Sequence, residues 1–184
     1  MVQLHGGCHC GNVRYTLNLT LPHTPYPTLP VPPSGVQHIY RCNCTLCHKA
    51  GHFHLRPKSP TDDFLLLSPL DPFTLGDYQT GDKVLHFFFC QTCGVRPFIF
   101  AGDGELVDTE VDGQTAKAWR PKRGGGHPKL GNYLSVNGHT IDAKQEFDMR
   151  VMSESKVVMY CDCYSDPKVE APLTYERPQN NGCY

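Results

Sequence analysis

Gly7-Cys8-His9-Cys10-Gly11-Asn12-Val13-Arg14-Tyr15-Thr16-Leu17-Asn18-Leu19 joins two signals in one stretch. From Asn12 to Leu21 the apolar side chains alternate, with Val13, Tyr15, Leu17 and Leu19 on one face, which predicts a strand with one buried side. The two cysteines before it stand one residue apart, close enough for both thiolates to reach one tetrahedral ion at roughly 2.3 Å through a tight turn. Short-spaced cysteines recur in Cys42-Asn43-Cys44-Thr45-Leu46-Cys47 and Cys90-Gln91-Thr92-Cys93, so seven of the ten cysteines fall into three clusters. The pattern predicts a protein built around metal, zinc above all. Seven sulfurs make one closed four-sulfur site and one three-sulfur site with a position to spare, the feature that separates a catalytic zinc from a structural one.

Working outward, strand-like segments separated by Pro, Gly and Asp turns occur at 36–41, 51–56, 64–68, 84–89 and 95–100, then at 106–111, 132–136 and 157–160. These predict a mainly β fold, with one short helix expected over 142–150. Residues 22–35 carry Pro22, Pro25, Pro27, Pro30, Pro32 and Pro33, which cannot supply a sheet ladder and predict an extended surface loop inserted into the domain. The stretch from Trp119 to Gly131, with Gly124, Gly125 and Gly126 in a row, predicts a mobile loop. The polar, Pro- and Asn-containing residues 165–184 predict a loosely attached tail, leaving a domain over 4–160.

The chain of 184 residues, 39% apolar and 19% charged, suits a folded globular protein. Its formal charge of -1 gives no electrostatic handle on nucleic acid. Loading seven thiolates with two zinc ions would take that charge to roughly -4. The start, Met1-Val2-Gln3-Leu4-His5-Gly6-Gly7, lacks the basic and apolar regions of a secretory signal, and no apolar run approaches the roughly 18 residues that span a bilayer. A soluble, cytoplasmic protein without membrane or nucleic-acid partners is expected, and a reducing cytosol would keep the thiols free for metal.

Gly7-Cys8-His9-Cys10-Gly11-Asn12-Val13-Arg14, then Arg41-Cys42-Asn43-Cys44-Thr45-Leu46-Cys47-His48-Lys49-Ala50-Gly51-His52-Phe53, then Phe89-Cys90-Gln91-Thr92-Cys93-Gly94-Val95-Arg96-Pro97-Phe98 resemble, in that order, the glutathione-dependent formaldehyde-activating enzyme family, also called the centromere protein V type. The likeness covers about 6–100, weakens through about 160, and excludes the Pro-rich segment and the tail. It implies an Mss4-like, or beta-tent, arrangement of antiparallel sheets organised around zinc, with long loops. It also implies a structural zinc on Cys8, Cys10, Cys90 and Cys93 and a catalytic zinc on Cys42, Cys44 and Cys47. The implied activity is that of a carbon–sulfur lyase in which a thiol such as glutathione is activated for addition to, or elimination from, the electrophilic carbon of formaldehyde or a larger carbonyl compound. A non-catalytic zinc-stabilised scaffold for protein partners is the alternative.

His48, His52 and His54 follow the second cluster closely enough to close its metal shell as Cys3His, to carry protons beside it, or simply to pack; His52 and His54 would share one strand face. Lys117-Ala118-Trp119-Arg120-Pro121-Lys122-Arg123 could fold over the site and pair with a substrate carboxylate, or remain a solvated loop. Asp103, Glu105 and Asp108 suit turn and surface roles. Cys161, Cys163 and Cys183 lie outside the family pattern; Cys161-Asp162-Cys163 imitates the first knuckle and the three could bind another metal or reach the open site, but bystander thiols are the expectation.

Overall fold

Alternation becomes strand where the sequence leads one to expect it: Val13, Tyr15, Leu17 and Leu19 are all within about 1% of complete burial. The structure, a computed structural model, describes residues 1–32, 34–165 and 173–180. In chain order the strands are β1 (Val2–Gly7), β2 (Arg14–Leu19), β3 (His38–Cys42), β4 (Phe53–Arg56), β5 (Phe64–Ser68), β6 (Gly76–Tyr78), β7 (His86–Phe89), β8 (Phe98–Ala101), β9 (Gly104–Val111), β10 (Gln114–Pro121), β11 (Tyr133–Asn137), β12 (Met159–Cys161) and β13 (Leu173–Thr174). Three short helices, α1 (Thr45–Ala50), α2 (Pro60–Asp63) and α3 (Met149–Glu154), punctuate them. The fold is mainly β, as expected.

Two sheets share the core. The first runs β1-β2-β5-β10-β9 and the second β13-β12-β3-β4-β11-β8-β7-β6. Among the described residues all pairings are antiparallel except β12 on β3. The main apolar cluster draws Leu4, Tyr15, Leu17, Phe64 and Leu66 from the first sheet and Ile39, Phe53, Leu55, Phe88, Phe98, Phe100, Leu134 and Val136 from the second. Its aromatic rings pack in tilted pairs, Phe64 and Phe88 each with a centroid 5.3 Å from Phe98. Sheet on sheet is the stable answer when each sheet has one apolar face to bury. Tyr15 keeps its hydroxyl paired inside this core, 2.7 Å from Thr140 Oγ1.

Three expectations need correction. Trp119 opens no mobile loop: it lies in β10, opposite Leu106 of β9 and Leu66 of β5, with its ring edge-on to Phe100 of the other sheet at 5.0 Å. The glycine-rich turn after it is hydrogen-bonded back to Asp103, through Asp103 N–H to Gly125 O and Lys122 N–H to Asp103 O. The short helix begins at Met149, because the Asp148 carboxylate accepts from the Arg150 and Val151 N–H groups and caps it there. And residues 173–180 of the expected tail are tied down: β13 pairs with β12, and Arg177 Nε donates to the Tyr160 hydroxyl at 2.8 Å.

The Pro-rich segment holds no strand among its described residues, as expected, yet it packs back onto the sheet. The Tyr26 hydroxyl donates to Gln37 O, the Tyr26 N–H reaches the Tyr175 hydroxyl at 2.7 Å, and Val31 is buried. Val31 and Tyr26 thereby join a second, smaller apolar cluster with Tyr40, Cys42, Cys47 and Met159. Among the described residues no helix is long and apolar enough to cross a membrane.

Candidate metal centres

Cys8 and Cys10 follow β1, and Cys90 and Cys93 occupy the turn from β7 to β8. Each knuckle is wound by its own backbone. Val13 N–H donates to the Cys8 sulfur at 3.2 Å and Gly11 N–H to Cys8 O, while Gly94 N–H donates to Cys90 O at 2.8 Å. Gly11 and Gly94 make the reversals at φ +83° and +75°, where a side chain would be strained. A bond from Asn12 Nδ2 to Thr92 Oγ1 links the knuckles at 3.1 Å. The four sulfurs then lie within 4.8 Å of one another, Cys10 being 3.5 Å from both Cys8 and Cys90. Zinc at roughly 2.3 Å from each sulfur would space tetrahedral donors about 3.8 Å apart, so this set fits a closed four-sulfur shell. It would fasten the first sheet to the second.

Cys42 ends β3, and the chain turns at once into α1. Cys44 is the residue capping that helix: its sulfur accepts from Cys47 N–H at 3.3 Å, and the Cys42 sulfur accepts from Cys44 N–H at 3.4 Å. A cap residue and the third helical residue lie on one side of a first turn. The sulfurs of Cys42, Cys44 and Cys47 accordingly come within 4.8 Å of one another, a donor set suited to a thiophilic ion such as zinc. Hydrogen bonds, first from Cys42 and then from Cys47, pull the Cys44 thiol down to about 2, and Cys42 is pushed far up, first by Cys161.

The histidines take up positions around this trio without entering it. His54 is buried with Nδ1 2.8 Å from Ser135 Oγ and Nε2 3.3 Å from the Cys47 sulfur, and Tyr40 stacks flat on its ring at 4.3 Å. Among the described residues, no imidazole lies within 4.8 Å of all three sulfurs. His52 and His54 do pack on each other, 4.4 Å between ring centroids. His52 is held neutral by burial, its pKa lowered to about 3, and its Nε2 is buried without a partner among the described residues. Beside it is a small pocket of about 10 Å³, room for about one water-sized molecule, lined by Cys47, His52, Arg96, Phe87 and Ile99 among others. Arg96 brings a second unpartnered buried atom, Nη1.

The basic segment 117–123 does not supply the carboxylate clamp. Lys117 pairs with Asp108 at 3.3 Å, Arg120 with Glu105 at 2.9 Å, and Arg123 with Asp62. Asp108 and Glu105 are thus surface partners, as expected of them.

Cys161 and Cys163 correct the bystander expectation. In the parallel pairing of β12 on β3, Cys161 is in register with Cys42, and Asn43 N–H donates to Cys161 O at 3.2 Å. The three sulfurs of Cys42, Cys161 and Cys163 also lie within 4.8 Å of one another, and Cys161 and Cys163 are 3.3 Å apart. Asn43, fully buried, holds the two Cys-x-Cys turns together: its Nδ2 donates to Asp162 Oδ1 at 2.6 Å and to Asn180 O at 3.2 Å, and its Oδ1 accepts from Tyr164 N–H at 3.0 Å. Cys183 lies outside the described residues.

Nothing local in the sequence joins positions 43 and 162; the one available signal was the repeated Cys-x-Cys spacing. Asn43→Ala removes three hydrogen bonds of about 1 kcal/mol each, so a loss of about 2–4 kcal/mol in urea unfolding is expected, against little change for Thr115→Ala on the exposed surface of β10.

No model of a known protein family matches the chain. Among solved structures, the chain is similar to a Rhodobacter sphaeroides protein determined by crystallography, at 17% sequence identity and a TM-score of 0.49, over 85% of this chain and 99% of that one.

Proposed function

We propose that the chain is a zinc-dependent enzyme of the carbon–sulfur lyase type, acting on a thiol such as glutathione and a small carbonyl compound. In this reading zinc also occupies the four-sulfur set, and the overall arrangement belongs to the Mss4-like class. The observation that supports it most is the meeting of two features at Cys47: a three-sulfur metal-binding set, and a small pocket lined by Cys47, His52 and Arg96, of which the latter two each carry a buried side-chain nitrogen with no partner among the described residues. Buried polar groups are paired in finished cores, so unpaired nitrogens on two residues of this pocket favour a small polar guest beside the trio, a water in the resting protein.

Zinc on Cys42, Cys44 and Cys47 would supply a lowered pKa for a thiol brought to it. The chain's own groups divide the remaining work. Arg96, on the pocket wall, adds positive charge beside the trio. His52, neutral and hydrogen-bonded to the Ser135 backbone, keeps Nε2 as a lone-pair acceptor for the hydroxyl of the adduct. The apolar wall of Phe87, Phe88, Phe98 and Ile99 limits water, and a pocket with room for about one water-sized molecule excludes a bulky carbonyl compound. The addition converts S–H and C=O into C–S and C–O–H, with the proton passing from sulfur to oxygen overall and no change of oxidation state.

The test is direct. In cobalt-substituted protein, glutathione is expected to shift the visible bands of the second site, and the enzyme to speed consumption of formaldehyde in the presence of glutathione. Cys44→Ser is expected to abolish both effects. Unchanged spectra across several thiols, with no turnover, would defeat the proposal and leave the scaffold reading.

A further inference from the structure

The five sulfurs around Cys42 do not form one shell. Cys8, Cys10, Cys90 and Cys93 satisfy a common mutual distance of 4.8 Å as a set of four. By the same measure the second region divides into two sets of three, Cys42 with Cys44 and Cys47, and Cys42 with Cys161 and Cys163. One tetrahedral ion holding four of these sulfurs would need all four within about 3.8 Å of each other, which this division does not provide. Two three-sulfur sets meeting at one cysteine are the geometry of two tetrahedra sharing a vertex.

The geometry points to a third metal site: Cys161 and Cys163, with Cys42 as a bridging thiolate, hold a thiophilic ion, zinc in the first instance, beside the ion on Cys42, Cys44 and Cys47. Register supports this independently of the sulfurs, because β12 runs parallel to β3 with Cys161 opposite Cys42. The clamp supports it again: the middle residues of the two Cys-x-Cys turns, Asn43 and Asp162, are bonded to each other at 2.6 Å, and the Ser165 N–H also donates to Asp162 Oδ1 at 3.0 Å. The second turn is thus built onto the first. Both sets lie in the smaller apolar cluster, where Cys44, Cys161 and Cys163 pack against Tyr40, Cys42, Cys47 and Met159. Each ion would take three sulfurs and keep one further position, and loading releases one proton from each thiol that was protonated beforehand.

The inference rests on the reading of Cys42, Cys44 and Cys47 as metal ligands, and metal counting separates the two. Full-length protein loaded with zinc is expected to carry three ions per chain by native mass spectrometry, and the Cys161→Ser/Cys163→Ser double variant two. Substitution with ¹¹³Cd is expected to give three resonances in the unaltered protein, two of them coupled to each other through the shared sulfur, a signature that needs no variant to fold. Two ions per chain in the unaltered protein overturn the third site while leaving the proposed enzyme intact. One ion per chain overturns both readings. Three ions without coupling between any two cadmium resonances overturn the bridge.

Discussion

Cys90→Ser is expected to unfold the protein, whereas Cys44→Ser is expected to leave a cooperatively folding domain. Cys90 is 2% exposed and stands where the β7–β8 turn of the second sheet meets the knuckle that follows β1 of the first. A metal there closes a loop between Cys10 and Cys90, 80 residues apart, and its binding energy is folding energy. Structural zinc sites contribute on the order of 10–16 kcal/mol, as much as the roughly 5–15 kcal/mol that holds a whole domain together. Cys44 instead caps a helix of six residues inside the smaller apolar cluster, where the neighbouring strands are already held by their ladders. Circular dichroism through a thermal ramp, with zinc content measured in parallel, distinguishes the variants. Equal collapse, or a Cys90 variant that melts like the unaltered protein, would remove the division of labour between the centres.

Trp119→Ala should cost about 3–5 kcal/mol, the range for deleting a large buried aromatic side chain. The indole is 5% exposed, lies between β5 and β9 within its own sheet, and reaches across to Phe100 of the other. Gly104 belongs to the same contact: a Cβ placed on it would be 2.1 Å from the indole ring. Gly104→Val should therefore also destabilise, through overpacking rather than a cavity. Urea unfolding measures both. A Trp119 variant within about 0.5 kcal/mol of the unaltered protein would return that residue to the solvated loop suggested by its neighbours.

Those neighbours explain why it was hard to read. Gln114-Thr115-Ala116-Lys117-Ala118-Trp119-Arg120-Pro121 has almost no apolar alternation, since each face carries a cation, Lys117 on one and Arg120 on the other, paired with Asp108 and Glu105. β2 was legible for the opposite reason: each second residue is apolar and buried. The face shared by His52 and His54 was also legible, because period-two geometry is local. The helix start was mislaid by seven residues from the expected 142 to Met149, although Asp148 is a good cap residue. The partnership of Cys161 with Cys42 depends on a parallel pairing across 119 residues, and no periodicity within either segment encodes it. Arg96 stood within a quoted motif, but only burial beside a pocket shows its Nη1 to be unpaired.

The parallel ladder between β12 and β3 also sets an order of assembly. During synthesis every sulfur of the four-cysteine knot has been made once Cys93 is polymerised, so that knot can close while the remainder is still on the ribosome. Cys163 is added 70 residues later, at roughly 5–20 residues per second some seconds afterwards. Until then Cys42 lies on an uncovered sheet edge, and a growing chain that binds metal would fill the four-sulfur set before the sets that meet at Cys42.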